Sequence, residues 1–562
     1  MGRCAIGLDY GTNSCRSLLV DLDEGRELAS RVFPYPSGEA GVLLDPSNPN
    51  VARQNPQDYL AGLAETVNGA LADARAADPG FSASDIVGIG VDTTGSTPLP
   101  VDRQGTPLAF DPRFRDRLAA QVWLWKDHTA HAEAEEITRL AAGQRPHYLA
   151  KCGGIYSSEW WWSKILHLKR TDPEVFHAAH SFVEHCDYIP AVLTGARSPE
   201  SIRRSRCAAG HKAMFHPGWG GLPDHDFLSR LDPDLASLRD RLFNEAFSAD
   251  QPAGTLTKSW AESLGLPTET AVAVGAFDAH MGAVGAGIRE GVLVKILGTS
   301  TCDLMVVPHD QPLADIPGLC GIVDGSVLPN HYGLEAGQSA VGDIFLWFVH
   351  HLVPGSYGRT TEEKFNALEN SLARLRPGES GLLALDWNNG NRTILVDARL
   401  TGLILGQTLH TEAHEIYRAL IESTAFGALR IIEQIEDYGV PVREVINTGG
   451  LAVKSPVLMQ IYADVLGRPL KVAASDQTCA LGAALFGAAA SGRMTLDEAR
   501  ERNCRVRPLQ YQPDPANHAI YMEIYGLYRQ LHDVFGTPRI QVNLHHVMKR
   551  LLNLRDEVRT KH

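Results

Sequence analysis

With 562 residues, 44% of them apolar and 21% charged, the chain has the balance of a water-soluble globular protein and the length for two to four domains. A formal net charge of −14 excludes nucleic acid as a partner, because phosphate backbones are gripped by surplus Lys and Arg; backbone N–H groups and a cation can still hold a phosphorylated small molecule. No run of about 18 apolar residues crosses a bilayer, no signal-peptide core precedes the first strand pattern, and the nine cysteines form no C-x-x-C pair, so a cytoplasmic protein with free thiols and no membrane partner is expected.

In chain order, Cys4 to Leu8 is an apolar run that meets the polar turn Tyr10 to Ser14, and a second run, Ser17 to Val20, stops at Asp23-Glu24-Gly25. Two such runs around a turn predict a β-hairpin. Ile86 to Val91 predicts a buried strand leading into the loop Asp92-Thr93-Thr94-Gly95-Ser96-Thr97. Helical periodicity follows, as in Ala132 to Leu140 and Trp160 to Lys169. The breaker-rich stretches Asp250 to Gly254 and Gly265 to Pro267 predict a division near residue 260, with an N-terminal domain over 1–260 and a C-terminal domain over 261–535. Residues 536–562 read as a C-terminal helical extension with a basic end, a candidate homodimer contact. Strands alternating with helices on both sides of the division predict α/β architecture with helices covering mixed sheets.

An internal repeat refines this picture. Residues 11–20 read GTNSCRSLLV and residues 298–307 read GTSTCDLMVV, and each follows an apolar strand pattern. The repeat implies two similar halves, each presenting a Gly-Thr turn to a shared cleft.

The chain lacks the G-x-x-x-x-G-K-[ST] loop, and Gly88-Ile89-Gly90 continues as Val-Asp-Thr, which spoils a dinucleotide fingerprint. The two Gly-Thr turns remain as phosphate sites: Gly lets backbone N–H groups come close, and Thr or Ser adds donors. A plain hairpin turn explains either one alone; the matched pair, with Asp9 in the first, favours phosphate. Asp9 would then face Mg²⁺ through water. Asp278 stands between an apolar strand and a small-residue helix, where it is either a helix N-cap or a general base. Ser205 to Lys212 places cations in a Gly-bearing segment, as a solvated loop or a ligand contact, and Glu335 stands among small residues. Trp123-Leu124-Trp125-Lys126 suits sugar binding and core packing equally. Gly449-Gly450 reads as a turn between strand and helix, and the helix beginning at Cys479-Ala480-Leu481-Gly482 suits either an adenine plane or tight packing. His414-Glu415 lacks the second His of a zinc protease, and Gly298 to Cys302 is not a nucleophile elbow.

Taken together, these motifs resemble the FGGY carbohydrate kinases of the actin-like ATPase superfamily, in order from Ile6 to about Leu531. Within that family the segments VGIGVDTTGSTP, LWKDHTA, GGIYSSEWWWSKILH, RCAAGHK, GAFDAHMGAVGAG, LGTSTCD, GLEAGQSA and SDQTCALGAA are most similar to the members acting on L-ribulose. The resemblance implies two actin-like (ribonuclease H-like) domains with an interdomain cleft, and ATP with Mg²⁺ as cofactors. It implies that Asp278 is the base, that Ser96, Thr97, Lys212 and Glu335 bind the ketopentose, and that Asp9, Gly11, Thr12, Asn13, Gly298, Thr299 and Ser300 form the two phosphate turns. Gly449, Gly450 and Ser455 match the adenosine pocket, although Asn is common where Ser455 stands. The implied reaction is phosphorylation of L-ribulose at O5 in arabinose breakdown. The alternatives are a kinase for D-ribulose or xylulose and a non-catalytic actin-like ATP-binding protein.

Overall fold

A computed structural model of the chain describes residues 3–538 and 540–560. The predicted hairpin is present: β1 (Cys4–Tyr10) and β2 (Ser14–Asp21) pair antiparallel, and β3 (Arg26–Pro34) continues the sheet beside β2. On the other side of β1 lie β4 (Ile86–Thr93), parallel to β1, and β5 (Ala271–Ala273), parallel to β4. The second sheet repeats this plan. There β6 (Val292–Leu297) and β7 (Thr301–Pro308) form the hairpin, and β8 (His331–Ala336) lies antiparallel to β7. Parallel to β6 come β9 (Glu444–Thr448) and then β10 (Leu470–Val472). The orders β3-β2-β1-β4-β5 and β8-β7-β6-β9-β10 therefore match strand for strand, direction for direction. Ser14 and Thr301, equivalent in the ten-residue repeat, each open the second strand of their hairpin. The duplication read from ten residues extends over five strands per half.

The predicted helices are present as His131–Gln144 and Trp161–Thr171, with Trp160 the N-cap of the second and not its first residue. The helix Thr478–Ala490 lies across the first sheet, although it comes late in the chain. A methyl group on Gly7 would stand 1.7 Å from the carbonyl oxygen of Ala480, one on Gly90 1.7 Å from that of Ala483, and one on Gly88 1.9 Å from that of Gly487. Gly88-Ile89-Gly90 thus forms a trough for a helix. The helix Asp278–Gly285 crosses Thr478–Ala490 just as closely, with Gly482 facing the carbonyl oxygen of Met281. Of the two readings of the Cys479 segment, tight packing is the one observed.

The division at 260 falls inside the first half. β5 lies beyond it, and the two-residue strand Ala276–Phe277 also pairs with β4, so the change of sheet comes between Gly285 and Val292. The breaker-rich stretches near 250–267 mark an edge strand, Pro252–Thr255, paired with β5, and the two ends of a short helix, Lys258–Leu264, and no gap in the core: one apolar cluster holds Ala5, Leu18 and Val20 together with Val294, Leu304 and Leu485. The C-terminal helix is Val547–Thr560, and its apolar face (Val547, Leu551, Leu554, Val558) is buried in the core of the second half. It completes that core within its own chain; Lys561 and His562 lie outside the described residues. All nine cysteines are free thiols. Among the described residues no helix is long and apolar enough to cross a membrane.

Candidate active site

The two halves meet at a cleft with about 860 Å³ of empty space, part of it open solvent. Its walls come from both: Thr94, Gly95, Trp125, Lys212 and Asp278 from the first, and Gly298, Thr299, Ser300, Glu335 and Arg392 from the second. Gly95 is required by Phe277, whose ring would lie 1.8 Å from any added methyl group.

Asp278 is the first residue of its helix. Phe277 occupies the N-cap position, and the Asp278 carboxylate accepts a hydrogen bond only from the adjacent Ala279 N–H, at 2.7 Å. The capping explanation therefore fails, leaving a half-buried carboxyl facing the cleft. Burial and the nearby Asp9 push its pKa up to about 7. A carboxyl poised there can take a proton from a hydroxyl near neutral pH.

Lys212, the last residue of the helix Arg206–Lys212, points across to Glu335 on β8. Its ammonium lies 3.1 and 3.2 Å from the two carboxylate oxygens, so one ion pair joins the halves at the cleft. Burial favours the neutral lysine, but Glu335 outweighs it and keeps the ammonium charged. Glu335 itself is held well below the usual carboxylate range despite burial, chiefly by Lys212 and His211. The segment left open as loop or ligand contact is thus a buried helix with its lysine in the cleft wall.

Asp9 lies on β1, in register with Asp92 on the parallel strand β4. Arg16 approaches Asp9 at 3.3 Å, and burial still raises the Asp9 pKa. Asp92 is completely buried and neither of its oxygens has a hydrogen-bond partner. Burial, Asp9 and then Asp278 raise its pKa well above the ordinary value. Three acids with a single nearby arginine leave a deficit of positive charge at this end of the cleft.

The turns differ in what they offer. Gly11 N–H donates to the Ser14 carbonyl, whereas Gly298 N–H donates to that of Ser300, one position before Thr301, the equivalent of Ser14, so the two turns close differently. Gly298, Thr299 and Ser300 line the cleft, and the helix Gly342–His351 starts against them, with Gly342 N–H donating to the Gly298 carbonyl. Thr12 accepts from the Trp125 indole N–H at 3.0 Å, and exposed Asn13 donates to the Ala40 carbonyl at 2.6 Å.

Ser96 and Thr97 are completely buried behind the wall. The Ser96 hydroxyl donates to Glu184, whose other oxygen accepts the Thr97 N–H at 2.7 Å, and Lys164 donates to the Ser96 carbonyl at 2.8 Å. Gly449 adopts φ 94° and faces the Leu297 carbonyl so closely that a side chain could not fit, whereas Gly450 opens the next helix into free space. Ser455 caps the helix Pro456–Leu466, and its hydroxyl donates to Glu369 at 2.6 Å, so both of its hydrogen-bonding directions are occupied.

Sequence reasoning missed Asp92, Arg392 and His280. Asp92 carried a usable signal, since a strand-end acid after Gly-Ile-Gly-Val parallels Asp9. Arg392 carried none: its loop has no periodicity, yet its guanidinium donates to the carbonyls of Thr301 and Gln338 at 3.0 and 3.1 Å beside the second turn. The tryptophans divide, Trp123 to the core and Trp125 to the cleft.

Profiles of the FGGY family of carbohydrate kinases match residues 4–285 with the N-terminal domain and 293–491 with the C-terminal domain. The chain is 44% identical to a ribulokinase of Shouchella clausii (strain KSM-K16), covering 100% of this chain and 99% of that one. It is 40% identical to a ribulokinase of Mycolicibacterium smegmatis, with 94% of each covered. Among solved structures, a xylulose kinase from Rhodospirillum rubrum superposes with a TM-score of 0.76 at 23% identity, over 95% of this chain and 100% of that one. Plasmodium falciparum glycerol kinase with ADP gives 0.76 at 17%, over 96% and 99%. Duplicated sheets, a shared cleft and both profiles lead to one assignment: the chain belongs to the FGGY family of carbohydrate kinases and is an ATP-dependent sugar kinase.

Proposed function

We propose that the enzyme transfers the γ-phosphoryl group of ATP to O5 of L-ribulose, with Asp278 as general base. The observation that carries this reading is the place of Asp278. Its carboxyl, with a pKa near 7, shares one cleft with a sugar-sized polar pair, Lys212–Glu335, and with the Gly298–Ser300 turn. The choice of L-ribulose rests on the relatives named ribulokinase.

Asp278 takes the O5 proton as that oxygen attacks the γ-phosphorus in line and the bond to the β-phosphate oxygen breaks. Lys212 and Glu335 orient the sugar hydroxyls. Ser96 and Thr97 act through Glu184, which holds Thr94 and Gly95 against the sugar. Backbone amides at Thr12–Asn13 and Thr299–Ser300 cradle the phosphates, with Gly11 and Gly298 closing the turns, and Gly449 and Gly450 leave room for the adenosine, with Ser455 fixing the helix that follows. Mg²⁺ arriving with ATP would supply the missing positive charge; Asp9, through water, and the unpartnered Asp92 are the residues that would hold it. Positioning provides most of the rate, and closure of the halves excludes water.

The test is ADP release with MgATP and a panel of L-ribulose, D-ribulose, L- and D-xylulose and glycerol. Turnover strongest with L-ribulose and lost in Asp278→Asn is the expected result. Turnover with a different sugar alone would replace the substrate and keep the mechanism; silence across the panel would refute both.

A further inference from the structure

Behind the Lys212–Glu335 pair lie two histidines that the phosphoryl transfer leaves without a task. His211 precedes Lys212 on the same helix, and His280 follows Asp278 by two residues on the helix that begins with the base. Their side chains are 0% and 2% exposed. The two Nε2 atoms face each other at 3.0 Å, and His211 Nδ1 lies 3.1 Å from Glu335 Oε2.

We propose that His280 and His211 form a relay with fixed tautomers that positions the Glu335 carboxylate and thereby sets which ketopentose is accepted. The proposal rests on the reading that Glu335 and Lys212 hold the sugar.

The tautomers follow by elimination. Glu335 is ionised and can only accept, so His211 Nδ1 must carry a proton. The 3.1 Å approach is not aligned as a hydrogen bond and the nitrogen has no other partner, so it is the carboxylate charge beside it that places the proton there. Burial keeps both rings neutral, so His211 Nε2 is bare and must accept from His280 Nε2–H. A neutral His280 then has a bare Nδ1, and that atom is buried without a partner, which a bare ring nitrogen tolerates better than an N–H. The opposite assignment would leave the His211 Nδ1 lone pair 3.1 Å from a carboxylate oxygen.

The consequence is directional. Lys212 holds both Glu335 oxygens from one side and the buried His211 ring packs its Nδ1 3.1 Å from Oε2 on the other, so the carboxylate plane has little room to swing toward a hydroxyl of inverted configuration. A polar site that cannot adjust rejects a misplaced hydroxyl far more strongly than a mobile one. The relay also ties the orientation of Glu335 to the helix that carries the base. These are positioning residues. Cys207 Sγ stands near both rings, within 4.8 Å of their nitrogens, so a metal on Cys207, His211 and His280 is the competing use of the same atoms.

Two measurements test the relay. In ligand-free, full-length enzyme labelled with ¹⁵N-histidine, His211 should report Nδ1–H with bare Nε2, and His280 Nε2–H with bare Nδ1. Reversed tautomers, or one equivalent of zinc by atomic emission in protein purified without chelator, would overturn the proposal. Kinetically, His280→Leu should raise KM for L-ribulose by about 10-fold or more and narrow the preference over D-ribulose, with KM for ATP unchanged. His280→Gln, whose amide N–H replaces Nε2–H, should restore KM to within about 3-fold of wild type. Equal effects of both variants, or equal effects on the KM values of sugar and ATP, would sink it. The tautomers are read without substrate, so a wrong choice of sugar leaves that measurement standing.

Discussion

Replacing Asp278 by Asn removes the base while keeping its shape, and the structure sets the size of two effects. A positioned general base contributes about 10²- to 10⁴-fold, so kcat should fall by at least about 100-fold with KM for ATP little changed. In the wild type the pKa of about 7 means that the active, ionised form grows with pH. The sugar kcat/KM should therefore rise about tenfold from pH 6 to pH 8 and then level off. Stability moves the other way. The folded carboxyl keeps its proton up to about 7 against an ordinary value of 3.8, so stability is lost as pH rises through that window. The gap corresponds to about 4 kcal/mol as an upper bound, and cleft water around a half-buried group brings the net cost to about 1–2 kcal/mol. Asp278→Asn should consequently raise Tm at pH 8 and leave it unchanged below about pH 4. Steady-state kinetics over pH 5.5–9 and thermal unfolding at both pH values check the argument. A flat pH profile, or a variant retaining a tenth of wild-type kcat, would refute it.

Three other substitutions probe the frame. Gly450→Ala meets no atom within 4 Å and needs no unusual φ, so it should fold normally, gain about 0.5–1 kcal/mol in urea, and raise KM for ATP alone. Gly90→Ala drives a methyl group to 1.7 Å from a helix carbonyl and should yield little soluble protein, read by expression and circular dichroism. Asp303→Ala strips buried Lys295 of a partner at 2.9 Å, and equilibrium unfolding should show a loss of about 3–5 kcal/mol.

How far the sequence could be read depended on how local the determining interactions are. Hairpins and turns are local, so Gly11-Thr12 and Gly298-Thr299 were legible, and with them the duplication. Helix spans were legible from periodicity to within a few residues. The division drawn at 260 falls inside the first half because breaker residues there flank an edge strand and a short helix, whereas β5 belongs to the first sheet through pairing with a strand far earlier in the chain. Ser96 and Thr97 could be assigned to the right loop, but whether a hydroxyl faces the cleft or Glu184 depends on a partner 88 residues away. The cation–carboxylate pair across the cleft joins Lys212 and Glu335, 123 positions apart, and no spacing rule brings those together. For those pairs the family resemblance supplied what the residues alone did not.

The helix Thr478–Ala490 is synthesised long after the sheet it covers. The ribosome finishes β5 at Ala273 and must still travel to Ala490 before Gly7, Gly88 and Gly90 can receive their helix. At 5–20 residues per second this interval lasts about 10–40 s. Throughout it the nascent first half carries a bare apolar trough, a natural client surface for chaperones. A gene fragment ending near Gly285 would leave that trough without its helix, so the two matching halves cannot be expressed apart.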